Sequence, residues 1–166
     1  DYRLENRRDP KTGKIKTVPE YCGEWFGFER GADEVRRTKR LCLALTAAVE
    51  VLFLTVLLLN APCGRIYYVM LPFAAMFFLA AGCLRVLTAG EKITREHRDK
   101  LSRRMNVCPA FLALLSALSL AGHVLYAVRT GLTAKDAVSL AAAAGILACA
   151  AVLLKTRDGL RIKKVG

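Results

Sequence analysis

Glu50 is the residue of this chain whose chemistry most needs an explanation. It lies midway along an apolar stretch over residues 41–60, which is long enough to cross about 30 Å of hydrocarbon. A charged side chain at that depth costs about 3 kcal/mol or more. We therefore expect the Glu50 carboxyl either to be protonated and hydrogen-bonded, or to be ionised and face a water-filled cavity or a cation.

Two serines of a later apolar stretch are predicted to lie close to Glu50 in depth. Ser116 and Ser119 fall about 14 to 18 Å into that stretch, at about 1.5 Å per residue, which is close to the depth of Glu50. His123 falls nearer to its outer end. One interpretation is a structural polar cluster that joins the first and third spans. The other is a proton- or cation-coupled substrate site, and both remain open at this point.

The position of Glu50 in the first of four spans resembles that in the small multidrug resistance exporters. Those chains are shorter than this one. This chain also carries a basic and aromatic N-terminal region of about forty residues, and it has no match for further aromatic positions of those exporters. The resemblance is therefore confined to Glu50.

Four apolar stretches determine the predicted fold class. They cover residues 41–60, 66–89, 107–128 and 136–154. Each has the length of a transmembrane helix, and little of the 166-residue chain remains for a separate soluble core. The sequence thus predicts an all-α integral membrane protein: a four-transmembrane-helix bundle over 35–166, preceded by a small N-terminal element over 1–34.

Basic residues are concentrated on one side of the predicted membrane. Eleven Lys and Arg residues precede the first span, six lie between the second and third, and five follow the fourth. The two other loops carry only Arg65, Arg129 and Lys135. The positive-inside rule then predicts that both termini are cytoplasmic, in a plasma (inner) membrane. The net charge of +12 is explained by this topology and by contact with anionic lipid headgroups, so we expect no nucleic-acid partner.

The N-terminal region is predicted to contain a cytoplasmic β-hairpin within residues 2–20. A turn cluster with Pro and Gly at residues 9–14 separates two short flanks with modest alternation of apolar and polar side chains. An isolated two-stranded hairpin is only marginally stable in water. We therefore expect the hairpin to be docked on another surface or to be mobile.

Aromatic residues mark the two predicted membrane interfaces. Trp25, Phe26 and Phe28 lie just before the basic run that precedes the first span, and Tyr67 and Tyr68 open the second span on the outer side. Aromatic rings with a polar tip are enriched at headgroup depth. The inner segment has a second interpretation, as an epitope for a protein partner.

Local signals predict where the helices begin, bend and end. Pro72 is expected to kink the second span, because it removes one backbone hydrogen bond. Between charged neighbours, every fourth position over 93–105 carries Ile93, His97, Leu101 or Met105. This spacing predicts an amphipathic loop helix, which Pro109 should end or redirect. Thr133 and Asp136 have the spacing of a capping box at the start of the fourth span.

Composition predicts how deeply two of the spans are buried. The fourth is rich in Ala and Gly over 141–151, and small residues allow helices to approach closely in lipid. The second span contains several Phe and Met residues. We expect the fourth span to be the most buried within protein and the second to be among the most exposed to lipid.

Cofactor and enzyme signals are weak in this sequence. Six cysteines are present, but there is no C-x-x-C pair and no His at ligand spacing from a Cys. Only Cys63 is predicted to face outward, which leaves it no partner for an intrachain disulfide. We expect no metal, no cofactor and no enzymatic activity, since no nucleophile–base pair, phosphate loop or paired carboxylate is visible.

Two classes of function remain for a chain of this kind. The first is a non-enzymatic polytopic membrane protein that acts through helix packing and its cytoplasmic face, as an accessory or scaffold protein or a self-assembling subunit. The alternative is a small oligomeric proton- or cation-coupled transporter or channel that uses Glu50. We expect a homo-oligomer or a membrane protein partner. The transporter or channel alternative requires at least a dimer, because four spans rarely enclose a pathway alone.

Overall fold

The structure, a computed structural model, describes residues 2–8, 15–59, 61, 70–90 and 92–165. Within these residues four helices are long and apolar enough to cross a membrane. They are α1 (Ala32–Leu58), α2 (Leu71–Thr88), α3 (Arg95–Thr130) and α4 (Ala134–Thr156). The predicted set of four spanning helices is therefore confirmed.

The four helices form a bundle in which each packs against two neighbours. α1 packs against α2 and α4, and α3 packs against α2 and α4, so that α1 and α3 lie across the diagonal. A glycine permits the close approach of α1 and α4, because a Cβ atom added at Gly145 would lie 3.0 Å from Cδ1 of Leu52. Val49, Leu79, Leu112 and Leu153, one from each helix, are almost fully buried in the core.

α1 begins well before the apolar stretch. Its first turn carries Asp33 and Glu34, which interact favourably with the positive end of the helix dipole. The same helix continues through the apolar stretch to Leu58. Its buried face recurs every three or four residues, through Cys42, Thr46, Val49, Phe53 and Val56.

Pro72 does not kink its helix and Pro109 does not end its helix, contrary to expectation. Pro72 lies in the first turn of α2, where the missing N–H would have had no helical acceptor, so it starts the helix and does not kink it. Pro109 lies inside α3, which continues over 36 residues. The Pro109 ring is fully buried in the bundle, and helix packing of this kind tolerates the loss of one backbone bond. The amphipathic segment 93–105 and the third span thus belong largely to one helix.

The predicted cap of the fourth span is confirmed. The Thr133 hydroxyl accepts a hydrogen bond from the backbone N–H of Asp136 at 3.2 Å. In return, the Asp136 carboxylate accepts one from the backbone N–H of Thr133 at 3.3 Å. Both bonds satisfy donors that a helix start leaves without partners.

The N-terminal hairpin is also confirmed. β1 (Tyr2–Arg8) and β2 (Ile15–Tyr21) pair antiparallel, with Tyr2 opposite Tyr21 and Arg8 opposite Ile15. The turn cluster at 9–14 lies outside the described residues. Since side chains alternate across a strand, Tyr2, Leu4 and Ile15 share one face of the hairpin. All three are more than half exposed.

A second, three-stranded sheet was not predicted, so the all-α description is incomplete. β3 (Trp25–Phe28) pairs antiparallel with β4 (Ile93–Thr94) on one side and with β5 (Ile162–Val165) on the other. The strands precede α1, precede α3 and follow α4, respectively. The sheet therefore joins the N-terminal region, the second loop and the C-terminal segment at one end of the bundle.

The predicted order of burial among the spans is wrong. In the apolar part of each helix, 39% of residues are buried in α2, 33% in α4, 28% in α1 and 22% in α3. The reason is that alanines surround α4 on all sides: Ala142 and Ala150 are buried, whereas Ala144 and Ala148 are exposed. Small residues therefore do not indicate which side of this helix faces protein.

Candidate functional site

Glu50 lies on the side of α1 that faces α2. Lys39, eleven residues or about three turns earlier on the same side, donates a hydrogen bond from Nζ to the carbonyl oxygen of Ala89 at the end of α2. One turn beyond Glu50, the ring of Phe53 stacks on that of Phe73 in α2, with centroids 5.9 Å apart. Glu50 itself is half-buried, at the edge of the face that α1 presents to the core.

The Glu50 carboxyl makes no hydrogen bond or ion pair with another described residue. Its side of the α1–α2 contact also carries Phe73, which is 57% exposed. Phe77 lies one turn further along α2 and is 69% exposed. We call this surface the α1/α2 seam. The seam, defined by Glu50, Phe73 and Phe77, thus combines one carboxyl with an apolar surface on the outer wall of the bundle.

The predicted polar cluster between the first and third spans is wrong, because α1 and α3 lie across the diagonal of the bundle. Ser116, Ser119 and His123 are instead buried on the inner side of α3. His123 reaches α4, where its Nε2 lies 3.3 Å from the hydroxyl oxygen of Ser139. The polar contact therefore joins α3 and α4 and does not involve Glu50.

The hydrogen bonds of His123 determine its tautomer. Nδ1 lies 2.9 Å from the backbone carbonyl oxygen of Ser119, and a carbonyl can only accept, so Nδ1 carries the proton and donates. In the neutral ring Nε2 then accepts a hydrogen bond from the Ser139 hydroxyl. Ser139 was not among the predicted site residues, although it lies three residues after Asp136, which is also buried on α4. That spacing on one helix face was the available signal.

A small cavity lies beside this polar contact. Its volume is about 10 Å³, and Ser116, His123, Phe53 and Pro72 are among its lining residues. The Ser116 hydroxyl is buried and has no hydrogen-bond partner among the described residues. A space of this size is at the lower limit of what one water molecule needs. The space beside the Ser139 hydroxyl and the His123 nitrogen is therefore too small for an organic substrate.

The inner aromatic residues lie in β3 and contact basic side chains of the helices. The Arg98 guanidinium lies 4.1 Å from the ring centroid of Phe26, and Lys39 Nζ lies 5.0 Å from that of Phe28. Phe26 is only 4% exposed. Its ring is therefore enclosed by protein, contrary to the expectation that it faces headgroups.

Trp25 is the most exposed of the three inner aromatic residues, at 37%. Its ring packs edge-on against Tyr21, with centroids 5.0 Å apart. This contact, together with a hydrogen bond from the backbone N–H of Arg95 to the Tyr21 hydroxyl at 3.0 Å, attaches the base of the hairpin to the second sheet. Tyr67 and Tyr68, expected at the outer interface, lie outside the described residues.

An ion pair joins the C-terminal strand to the segment before β3. Lys164 Nζ lies 2.5 Å from a carboxylate oxygen of Glu24. The hydrogen bond and the positive charge of Lys164 lower the pKa of Glu24 below its usual value. Both groups are exposed, so this pair adds little to global stability, but it connects β5 to the N-terminal segment.

Metal-binding chemistry has no support in the described part of the chain. Those residues contain no group of three His, Cys, Asp or Glu side chains that could hold a metal ion. The five cysteines within it are free thiols, at positions 22, 42, 83, 108 and 149. Cys63 lies outside the described residues.

Comparison with known proteins adds no family assignment. No family model matches the chain, and no curated protein or solved structure shows a significant match.

Proposed function

We propose that this protein is a non-enzymatic membrane subunit that acts by assembly. Copies associate through the α1/α2 seam in a plasma (inner) membrane, and the end of the bundle that carries both sheets forms an accessory or scaffold surface in the cytoplasm. The observation that supports this proposal is the position of Glu50 on the outer wall of the bundle, without a partner among the described residues.

A carboxyl in this position favours a partner chain within the membrane. An isolated ionised group at mid-bilayer costs about 3 kcal/mol or more, whereas a polar contact between helices in lipid contributes about 1–2 kcal/mol in model peptides. In a two-fold pair, the same patch of each copy meets the other. The proposal places Glu50 near the two-fold axis, where the two Glu50 side chains face each other. A protonated carboxyl can donate to its counterpart, and Phe73 and Phe77 supply apolar contact area.

The sheet-bearing end of the bundle supports the scaffold part of the proposal. The hairpin presents Tyr2, Leu4 and Ile15 as exposed apolar side chains on one face, although an isolated hairpin is marginally stable. A protein partner that covers this face would stabilise the hairpin. The charge asymmetry along the sequence favours a cytoplasmic position for this end, next to anionic headgroups.

A proton- or cation-coupled transporter or channel remains the second candidate, and Glu50 is again the observation that favours it. The cavity beside His123, between the described helices, has a volume of only about 10 Å³. A transport pathway would therefore run between copies, along the α1/α2 seam. Both candidates thus require assembly, and they differ in whether ionisation of Glu50 matters.

The test measures the monomer–dimer equilibrium by energy transfer between labelled copies in vesicles at increasing lipid dilution. Glu50→Leu should weaken association by about five- to thirtyfold, from the loss of about 1–2 kcal/mol, while Glu50→Gln should retain it. Thr55→Val is the matched control on the same helix, because the Thr55 hydroxyl already bonds to the Val51 carbonyl at 2.9 Å.

Three outcomes are decisive for the proposal. A wild-type protein that stays monomeric at every dilution would contradict assembly. If wild type and Glu50→Leu have the same dimerisation constant, Glu50 does not contribute to the interface. A pH-driven flux that disappears in Glu50→Gln, while association persists, would replace the scaffold function with transport.

A further inference from the structure

A large cavity opens at the end of the bundle where β3, the start of α1 and the end of α2 meet. Its volume is about 420 Å³, within the range of pockets that hold small ligands. Phe28, Val35 and Ala89 supply an apolar part of the lining, and Val35 and Ala89 are themselves buried. The cavity therefore offers apolar contacts to a ligand that enters from the headgroup layer.

The charged part of the lining is entirely basic. Arg30, Arg36 and Lys39 line the cavity, and no described Asp or Glu residue does. Arg30 is paired with Glu34, one turn further along the chain. The side chain of Arg36, in contrast, makes no ion pair or hydrogen bond with a described residue. Arg36 is thus the group in this cavity whose charge is available to an anion.

Lys39 is held in place beside Arg36. Its ammonium nitrogen donates to the Ala89 carbonyl oxygen at 2.6 Å and lies 5.0 Å from the ring centroid of Phe28. An ammonium group has three N–H donors, so two remain after the bond to Ala89. Lys39 therefore joins α1, α2 and β3 and can still contribute a hydrogen bond to a ligand.

The depth of the cavity suits an amphiphilic ligand. Arg36 and Lys39 lie within one and a half turns of Leu41, where the apolar stretch of the first span begins, and α2 ends at Thr88, next to Ala89. Charged headgroups occupy the boundary between an apolar span and water, and their phosphates attract Lys and Arg side chains.

We propose that this cavity binds a phosphate group on an apolar carrier, with the chemistry of an anionic phospholipid. Arg36 binds two phosphate oxygens through its guanidinium, as its planar donor geometry allows, and Lys39 donates to another. The carrier lies against Phe28 and Val35. A soluble phosphate compound has the same anionic group, so the experiment distinguishes these two sources. This site lies apart from Glu50 and does not depend on assembly through the α1/α2 seam.

The experiment counts bound lipids on the whole protein by native mass spectrometry from detergent. Phosphatidylglycerol and phosphatidylcholine with identical acyl chains are compared, and inorganic phosphate is added in a separate series as a competitor. Arg36→Gln should weaken retention of phosphatidylglycerol by about tenfold, the value expected for one charge-assisted contact. Arg36→Lys keeps the positive charge but cannot make the two-oxygen contact, so it should retain only part of the binding.

Arg37→Gln is the matched control, since Arg37 is a neighbouring exposed arginine on the same helix that does not line the cavity. It should leave retention unchanged, and thermal unfolding of each variant verifies that the fold is intact. If inorganic phosphate displaces the lipid and itself binds in an Arg36-dependent manner, the ligand is a soluble phosphate; if it does not compete, the ligand is the lipid. Equal retention of the two lipids by wild type, or equal losses in Arg36→Gln and Arg37→Gln, would overturn the proposal.

Discussion

Replacing Ser139 with alanine tests whether the contact between His123 and Ser139 holds α3 and α4 together. The Ser139 side chain is fully buried, and its hydroxyl donates to Nε2 of His123 over 3.3 Å. Ser139→Ala removes one oxygen atom and this hydrogen bond. Ser116→Ala is the matched change on α3, because it removes the same atom from an equally buried site where the hydroxyl has no partner among the described residues.

The expected free-energy changes differ in size because the lost interactions differ. A hydrogen bond between membrane helices contributes about 0.6 kcal/mol on average and up to about 1.7 kcal/mol. The bond at 3.3 Å is long, which reduces this contribution. We expect Ser139→Ala to lower the free energy of unfolding by about 0.5–1 kcal/mol. Ser116→Ala should leave it unchanged or raise it slightly, since it removes a buried polar atom.

Equilibrium unfolding in mixed micelles of sodium dodecyl sulfate, followed by far-ultraviolet circular dichroism, measures both changes. The two substitutions delete the same volume, so the difference between them isolates the hydrogen bond. If Ser116→Ala destabilises the protein as much as Ser139→Ala does, the assignment of these two hydroxyls is wrong.

Two further predictions concern the orientation of the chain and the C-terminal strand. A membrane-impermeant thiol reagent added outside intact cells should label Cys63 and leave Cys22 unlabelled, because the distribution of basic residues predicts that the N-terminal region is cytoplasmic. Labelling of Cys22 alone would show that the chain has the opposite orientation in the membrane. The ion pair with Lys164 lowers the pKa of Glu24, so its contribution is complete above the usual value of 4.5 and is lost as the pH falls through the lowered value. Amide hydrogen exchange over Ile162–Val165, measured relative to its intrinsic rate, should therefore accelerate in that acidic range. Glu24→Gln should remove this pH dependence. If the acceleration persists in Glu24→Gln, a group other than Glu24 causes it.

Features that depend on neighbouring residues could be predicted from the sequence alone. The length and polarity of an apolar stretch determine whether a helix can cross a membrane, so all four spanning helices were predicted. The Thr133–Asp136 cap and the pairing of β1 with β2 follow from side-chain chemistry and turn residues over a few positions. The depth of Glu50 along α1 is likewise a matter of counting residues.

The tertiary structure determined which neighbouring helix each polar face contacts. Ser119 and His123 have the same depth and helical spacing whether they face α1 or α4, so no sequence pattern distinguished the two arrangements. The arrangement of the bundle turned His123 toward Ser139 and left Glu50 on the outer wall. For the same reason, alanines on all sides of α4 gave no indication of its buried face.

Tertiary contacts also decided the roles of Pro109 and the C-terminal strand. A proline removes one hydrogen bond wherever it occurs in a helix, but packing of the buried Pro109 ring against neighbouring helices keeps α3 continuous. β5 is a short basic segment, and it becomes a strand because β3 supplies its hydrogen-bond partners from more than 130 residues earlier in the chain. Local sequence patterns therefore determined the helices of this protein and the depth of each residue along them. Contacts between distant residues determined which side chains meet, because the free energy of such a contact depends on two segments at once.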